Sequence, residues 1–142
     1  MKISKEFKWE MGHRLPFHSG KCKNIHGHTY RMRVEIDGDL DDNGMVMDYY
    51  DVSEIISPLV DELDHSFMAK EDDSEVIEFL NKIESKKVVV PFETTAENIT
   101  LYMLQKIKEK ITSEQNQKIK VRVYETEKTY AEDEIDCKIE HR

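Results

Sequence analysis

Six histidines and two cysteines are scattered along this chain. Three of the histidines and one cysteine have a spacing that could do chemistry. His26-Gly27-His28 is a His-x-His pair, with Cys22 four residues upstream and His13 in the segment before. On an extended strand, side chains two residues apart project to the same face, about 6–7 Å apart along the chain. Both imidazoles can then grip one metal ion. A third imidazole from a neighbouring strand leaves a fourth position open to water or substrate, the arrangement of a catalytic rather than a structural zinc site. Neutral imidazoles suit zinc, and the site calls for no redox role; iron and nickel fit the same ligands.

Such a site needs two strands in the right phase. Ile3, Phe7, Trp9 and Met11 alternate with Ser4, Glu6, Lys8 and Glu10, and His13 falls in the apolar phase. Tyr30, Met32, Val34 and Ile36 alternate with Arg31, Arg33 and Glu35, and His26 and His28 again fall in the apolar phase. Both runs have the period of half-buried strands. The three histidines are therefore expected on the covered face of an antiparallel pair.

Other residues have competing readings. Cys22 is a metal ligand, an inert thiol, or a nucleophile or base; Lys21, Lys23 and histidine around it favour a reactive thiolate. Asp64-His65 closes a helical pattern, so His65 is either a C-terminal partner of the helix dipole or a proton-transfer group set by its carboxylate neighbour. Glu125 is a solvated strand end or a carboxylate able to hold a nitrogen-rich ring. Thr94 reads as a helix cap with Glu97 reaching back.

The remaining elements follow from periodicity. Tyr49, Val52, Ile56, Leu59 and Leu63 mark an amphipathic helix, which Pro58 should kink or break. Residues 66–87 are charged and mixed, with a short helix over 74–83, and Val88-Val89-Val90 is a short apolar run. A second long helix carries Ala96, Ile99, Met103, Ile107 and Ile111. Strands follow at Ile119–Val123 and over 134–140. The pattern predicts an α+β chain, ββααββ, with two helices on one face of a four-stranded antiparallel sheet.

Length and charge set outer bounds. The 142 residues fit one domain over the whole chain. The net charge of −9, from 30 acidic and 21 basic residues, argues against nucleic-acid and anionic-membrane partners. No apolar run approaches the ~20 residues of a membrane span, and Met-Lys-Ile-Ser-Lys-Glu lacks a signal-peptide core. Two distant cysteines make no disulfide framework, so a reducing cytoplasmic setting is expected.

In order and spacing, several segments together resemble the 6-pyruvoyl-tetrahydropterin synthase and 6-carboxytetrahydropterin synthase family. They are Gly12-His13-Arg14-Leu15, Cys22 to His28, Gly44 to Asp48, Leu63-Asp64-His65, Thr94 to Asn98, and Val123 to Thr126. The resemblance implies the tunnelling fold, assembled as a homohexamer (a dimer of trimers) with sites between subunits. It implies Zn2+ on His13, His26 and His28, with Cys22 as general base supported by Asp64 and His65. It implies Glu125 and Thr95 in the pterin pocket, and 7,8-dihydroneopterin triphosphate as substrate. Lys21, Lys23 and Arg14 are candidates for contacting the triphosphate.

Two products are implied within the family, a carboxy- and a pyruvoyl-tetrahydropterin. Three residues separate Cys22 from His26, a short gap that resembles the carboxy type on the queuosine route. The chain departs from the family after Asp-His, where Ser66-Phe67-Met68-Ala69 replaces the usual Leu-Asn. A non-catalytic zinc-containing pterin- or purine-binding module is the reading from another class; such a module has no need of a reactive thiol.

Overall fold

The computed structural model of the protein describes residues 1–111 and 117–137. Strands β1 (Lys2–His13) and β2 (His26–Asp37) form a long antiparallel hairpin. Helix α1 (Tyr49–Leu63), strand β3 (Ser66–Lys70), helix α2 (Ser74–Lys82) and strand β4 (Lys87–Val90) follow. Helix α3 (Ala96–Lys110) and strands β5 (Gln117–Tyr124) and β6 (Tyr130–Cys137) complete the chain. One six-stranded sheet has the order β4-β3-β1-β2-β5-β6. It is antiparallel except that β3 runs parallel to both β1 and β4.

The expected four antiparallel strands form the body of the sheet, and β3 and β4 extend it. Of the last strand, expected over 134–140, the positions beyond Cys137, including Ile139, lie outside the described residues. Strand β3 escapes a search for alternation because four of its five residues are buried. Buried on both faces, a parallel strand loses the polar-apolar alternation. Met68 joins the main core, whereas Phe67 and Ala69 pack with Val76 and Leu80 of α2 on the other side. Helices α1 and α3 thus cover one face as expected, and α2 covers the opposite face at the β3 end.

The main core gathers Trp9, Tyr30, Met32, Ile56, Met103 and Val121, among others, between the sheet and the two long helices. Helix α1 runs unbroken through Pro58. Proline there removes one backbone donor and crowds the preceding turn, but five buried side chains hold the helix on the sheet. Asp48 caps its start, accepting the Tyr50 N–H at 2.8 Å. At the start of α3 the cap is Thr95, not Thr94: its Oγ1 accepts the Asn98 N–H at 3.2 Å. The capping pattern therefore begins one residue later than the sequence suggests, which frees Thr94 for another task.

Candidate metal centre and its surroundings

The hairpin register sets His13 directly opposite His26, and His28 opposite Met11. All three rings project to the covered face, with centroids 4.7–5.2 Å apart. One ring nitrogen from each lies within 4.8 Å of the other two. Among the described residues, this convergent cluster comprises the three histidines without Cys22.

Hydrogen bonds orient two of the rings. His13 Nδ1 lies 2.7 Å from the Thr94 carbonyl oxygen and 3.2 Å from its Oγ1. His26 Nδ1 lies 2.7 Å from the Asn24 carbonyl oxygen. A carbonyl only accepts, so each Nδ1 carries the proton and each Nε2 presents a lone pair. The Nε2 atoms of His13, His26 and His28 are all buried without a hydrogen-bond partner. Three buried ring nitrogens without hydrogen bonds converge on one point, two of them with lone pairs turned inward by the carbonyls behind their rings, and this suits a divalent cation.

The electrostatics agree. Burial pulls His13 down from the ordinary histidine value to about 4, despite the opposing Thr94 hydrogen bond. Burial, then the proximity of His26, also lowers His28. Both rings are thus kept neutral near pH 7, the form a metal requires. Beneath them Tyr30 stacks on Trp9, with centroids 5.4 Å apart and planes 7° from parallel.

Glu125, just past β5, brings Oε1 to 3.3 Å from His28 Nε2. Burial pushes its carboxyl up, partly offset by His26. Glu125 and Thr95 line the same cavity of about 220 Å3, with Glu97 and Tyr130 also in its wall. Thr94, assigned to the cap by its sequence pattern, instead backs His13. The only hint in the chain is that Thr94 and Thr95 compete for one cap position.

Cys22 sits half-buried in a single 3₁₀ turn, Lys21–Lys23, between two exposed lysines. Its carbonyl accepts the Leu15 N–H at 2.8 Å, tying this loop to the segment just past His13. Arg14 is held by a carboxylate. Its Nε and Nη2 donate to the two Asp73 oxygens at 2.8 and 2.5 Å, a bidentate pair that joins the end of β1 to the start of α2.

Asp64 and His65 occupy a different environment. His65 adopts a left-handed backbone, φ 58°, uncommon for a residue with a side chain. Its N–H donates to the Glu10 carbonyl at 2.7 Å, and the Glu10 N–H donates to Asp64 Oδ1 at 2.8 Å. Asp64 Oδ2 lies 2.9 Å from His65 Nδ1. The Glu10 N–H, and next the His65 hydrogen bond, hold the Asp64 carboxyl below its ordinary range. The His65 side chain is 76% exposed. It borders an open groove of about 360 Å3 floored by Gly12 and Gly27, which face each other across the hairpin. A Cβ on Gly12 would stand 3.0 Å from the Phe67 ring and 3.3 Å from the His26 carbonyl oxygen, so a side chain there would fit only if its neighbours gave way.

An antiparallel hairpin presenting three imidazoles, with a carboxylate at the end of the adjacent strand, defines a candidate metal-site protein on an α+β frame. A family model described as 6-pyruvoyl tetrahydropterin synthase matches residues 2–135, and the chain belongs to that family. It is 40% identical over 139 residues to the 6-carboxy-5,6,7,8-tetrahydropterin synthase of Haemophilus influenzae, an alignment covering 92% of this chain and 96% of that one. The fold matches a catalytic-residue mutant of the Plasmodium vivax 6-pyruvoyltetrahydropterin synthase, with a TM-score of 0.77 at 20% identity, covering 96% of this chain and 98% of that one. It also matches the Caenorhabditis elegans 6-pyruvoyl tetrahydropterin synthase, with a TM-score of 0.69 at 25% identity over 93% of each chain. The architecture is the tunnelling fold.

Proposed function

We propose that the protein is a zinc-dependent carbon–carbon lyase. It would convert 7,8-dihydroneopterin triphosphate and water to 6-carboxy-5,6,7,8-tetrahydropterin, acetaldehyde and triphosphate, feeding queuosine and deazapurine synthesis in the cytoplasm. The observation that carries the metal half is the set of three orphaned Nε2 atoms on His13, His26 and His28. The likeness to the Haemophilus influenzae protein carries the choice of product.

Each group has a task in this reading. Bound to the three imidazoles, Zn2+ would supply Lewis acidity toward the substrate's side-chain oxygens. Glu125 accepts hydrogen bonds from the pterin ring, and Thr95 lines the same cavity. Cys22 removes and returns a proton at the side-chain carbons. His65, oriented by Asp64, exchanges a proton with a substrate hydroxyl. The exposure of His65 supports a site completed across a subunit boundary, in a homohexamer where one chain's Asp64 and His65 serve a neighbour's Cys22.

The test is a product assay. Purified zinc-loaded protein is incubated anaerobically with 7,8-dihydroneopterin triphosphate, and the products are identified by mass spectrometry. Carboxytetrahydropterin with acetaldehyde is expected. Pyruvoyl-tetrahydropterin without acetaldehyde would move the protein to the 6-pyruvoyl-tetrahydropterin synthase activity. Binding without turnover would make it a zinc-containing pterin-binding module.

A further inference from the structure

The sheet face opposite α1 and α3 carries side chains that neither the histidine cluster nor the Asp64–His65 pair uses. Register arranges them in rows across β1, β2, β5 and β6. One row is Lys8, Arg31, Tyr124, Tyr130, and the next is Glu6, Arg33, Arg122, Glu132. Further along, the charges alternate and pair: Lys120 lies 3.5 Å from Glu35, and Lys118 lies 3.8 Å from Glu134.

The first two rows are not balanced in this way. Lys8, Arg31, Arg33 and Arg122 face only Glu6 and Glu132. Arg33 and Arg122 stand directly opposite each other, an arrangement of like charges that destabilises a sheet. Arg122 is committed, donating through Nε to Glu132 at 2.8 Å and through Nη1 to the Tyr124 hydroxyl at 3.1 Å. Arg33 has no carboxylate in ion-pair range among the described residues, and its Nε is buried without a partner. Arg31 lies 4.1 Å over the Tyr124 ring, and Arg122 lies 4.2 Å over Tyr130. Stacking occupies a guanidinium's flat face and leaves its edge donors aimed outward.

A protein with a net charge of −9 has kept a cationic island, with an orphaned donor and an opposed arginine pair. We propose that Arg31 and Arg33, flanked by Arg122 and with Lys8 at the rim, bind the phosphate chain of a polyphosphate. Guanidinium edges match phosphate oxygens two at a time, and the anion's charge relieves the Arg33–Arg122 repulsion. The site lies on the other face of the sheet from the three histidines and does not depend on the proposed lyase activity.

The test is isothermal titration of metal-loaded protein with sodium triphosphate, orthophosphate and ATP, for wild type, Arg33→Gln, Arg31→Gln and Lys118→Gln. Triphosphate should bind wild type more tightly than orthophosphate. Either arginine change should weaken triphosphate roughly tenfold or more, while Lys118→Gln, on the same face but in the paired rows, should stay within about twofold. Triphosphate should raise the wild-type Tm but not that of Arg33→Gln. Arg33→Gln alone should melt no lower than wild type, because it removes the opposed charge. Equal affinities for triphosphate and ATP would assign recognition to the phosphate chain whatever carries it. Absence of triphosphate binding, equal affinity in wild type and both arginine variants, or an equal loss in Lys118→Gln would overturn the proposal. Turnover is not read, so failure here leaves the lyase reading untouched.

Discussion

Two histidine environments in this molecule are built on opposite principles. The cluster of His13, His26 and His28 is enclosed, its rings fixed by carbonyls and its free nitrogens turned toward one another. His65 stands in the open on a left-handed backbone, fixed through main-chain bonds to Glu10 and one carboxylate neighbour. The first is a preformed receptor that one chain completes. The second is rigid at its base, with its ring largely exposed beside the Asp64 carboxylate. In the proposed function the first group would hold a cation and the second would meet the substrate.

The sharpest way to break the comparison is to remove the receptor. His13→Ala should leave the folded protein without bound metal, measured by elemental analysis, and with turnover at background. Retained stoichiometric zinc would place the metal elsewhere. Next in size are Cys22→Ala and His65→Ala, each expected to slow turnover about 10²–10⁴-fold as lost proton-transfer groups, with zinc content unchanged. If the site spans subunits, co-assembling these two inactive variants should restore part of the activity. No recovery from verified mixed oligomers would confine the site to one chain.

The next prediction concerns stability alone. A residue with a side chain held at positive φ costs on the order of 1 kcal/mol. His65→Gly should therefore raise the denaturation midpoint while abolishing turnover. A lowered midpoint would mean that the imidazole contributes more to the fold than its exposure indicates.

A further effect is with pH. The folded state lowers the pKa of His13 to about 4, and that of His28 in the same direction. The unfolded chain therefore binds more protons between about 6.5 and 4. Metal-free protein should lose stability as pH falls through that window, and zinc-loaded protein should resist the loss until the metal dissociates. Asp64 has the ordinary carboxylate sign, with its contribution present above its unfolded pKa and lost in stronger acid. A flat melting temperature from about pH 6.5 to 4 in metal-free protein would contradict the burial argument.

The hairpin and its histidines are legible because a period of two is written directly into residues 3–13 and 26–36, and register then leaves little freedom. The three helices are legible for the same kind of reason. Strand β3 is not, because Phe67 and Ala69 face one hydrophobic cluster and Met68 another, so burial erases the alternation. Arg14 looks like a phosphate contact beside a reactive loop; only the fold brings Asp73 to it across 59 residues. Thr94 is favoured over Thr95 by pattern, since only Thr94 has a glutamate three residues on, yet Thr95 is the cap. The outer arginine island is invisible for a simpler reason: each arginine occupies an ordinary polar position in its strand, and only lateral alignment shows them adjacent.

One consequence follows from Glu10. Both of its main-chain groups are taken by Asp64 and His65, and the same strand carries His13 three residues on. That stretch is a ruler of about 10 Å made of covalent bonds. It fixes the separation of the outer histidine pivot from the metal-facing ring without relying on side-chain packing. Inserting one residue between Glu10 and His13 would do more than lengthen it, for the imidazole would rotate to the wrong side of the sheet. The ruler can therefore change only in whole pleats.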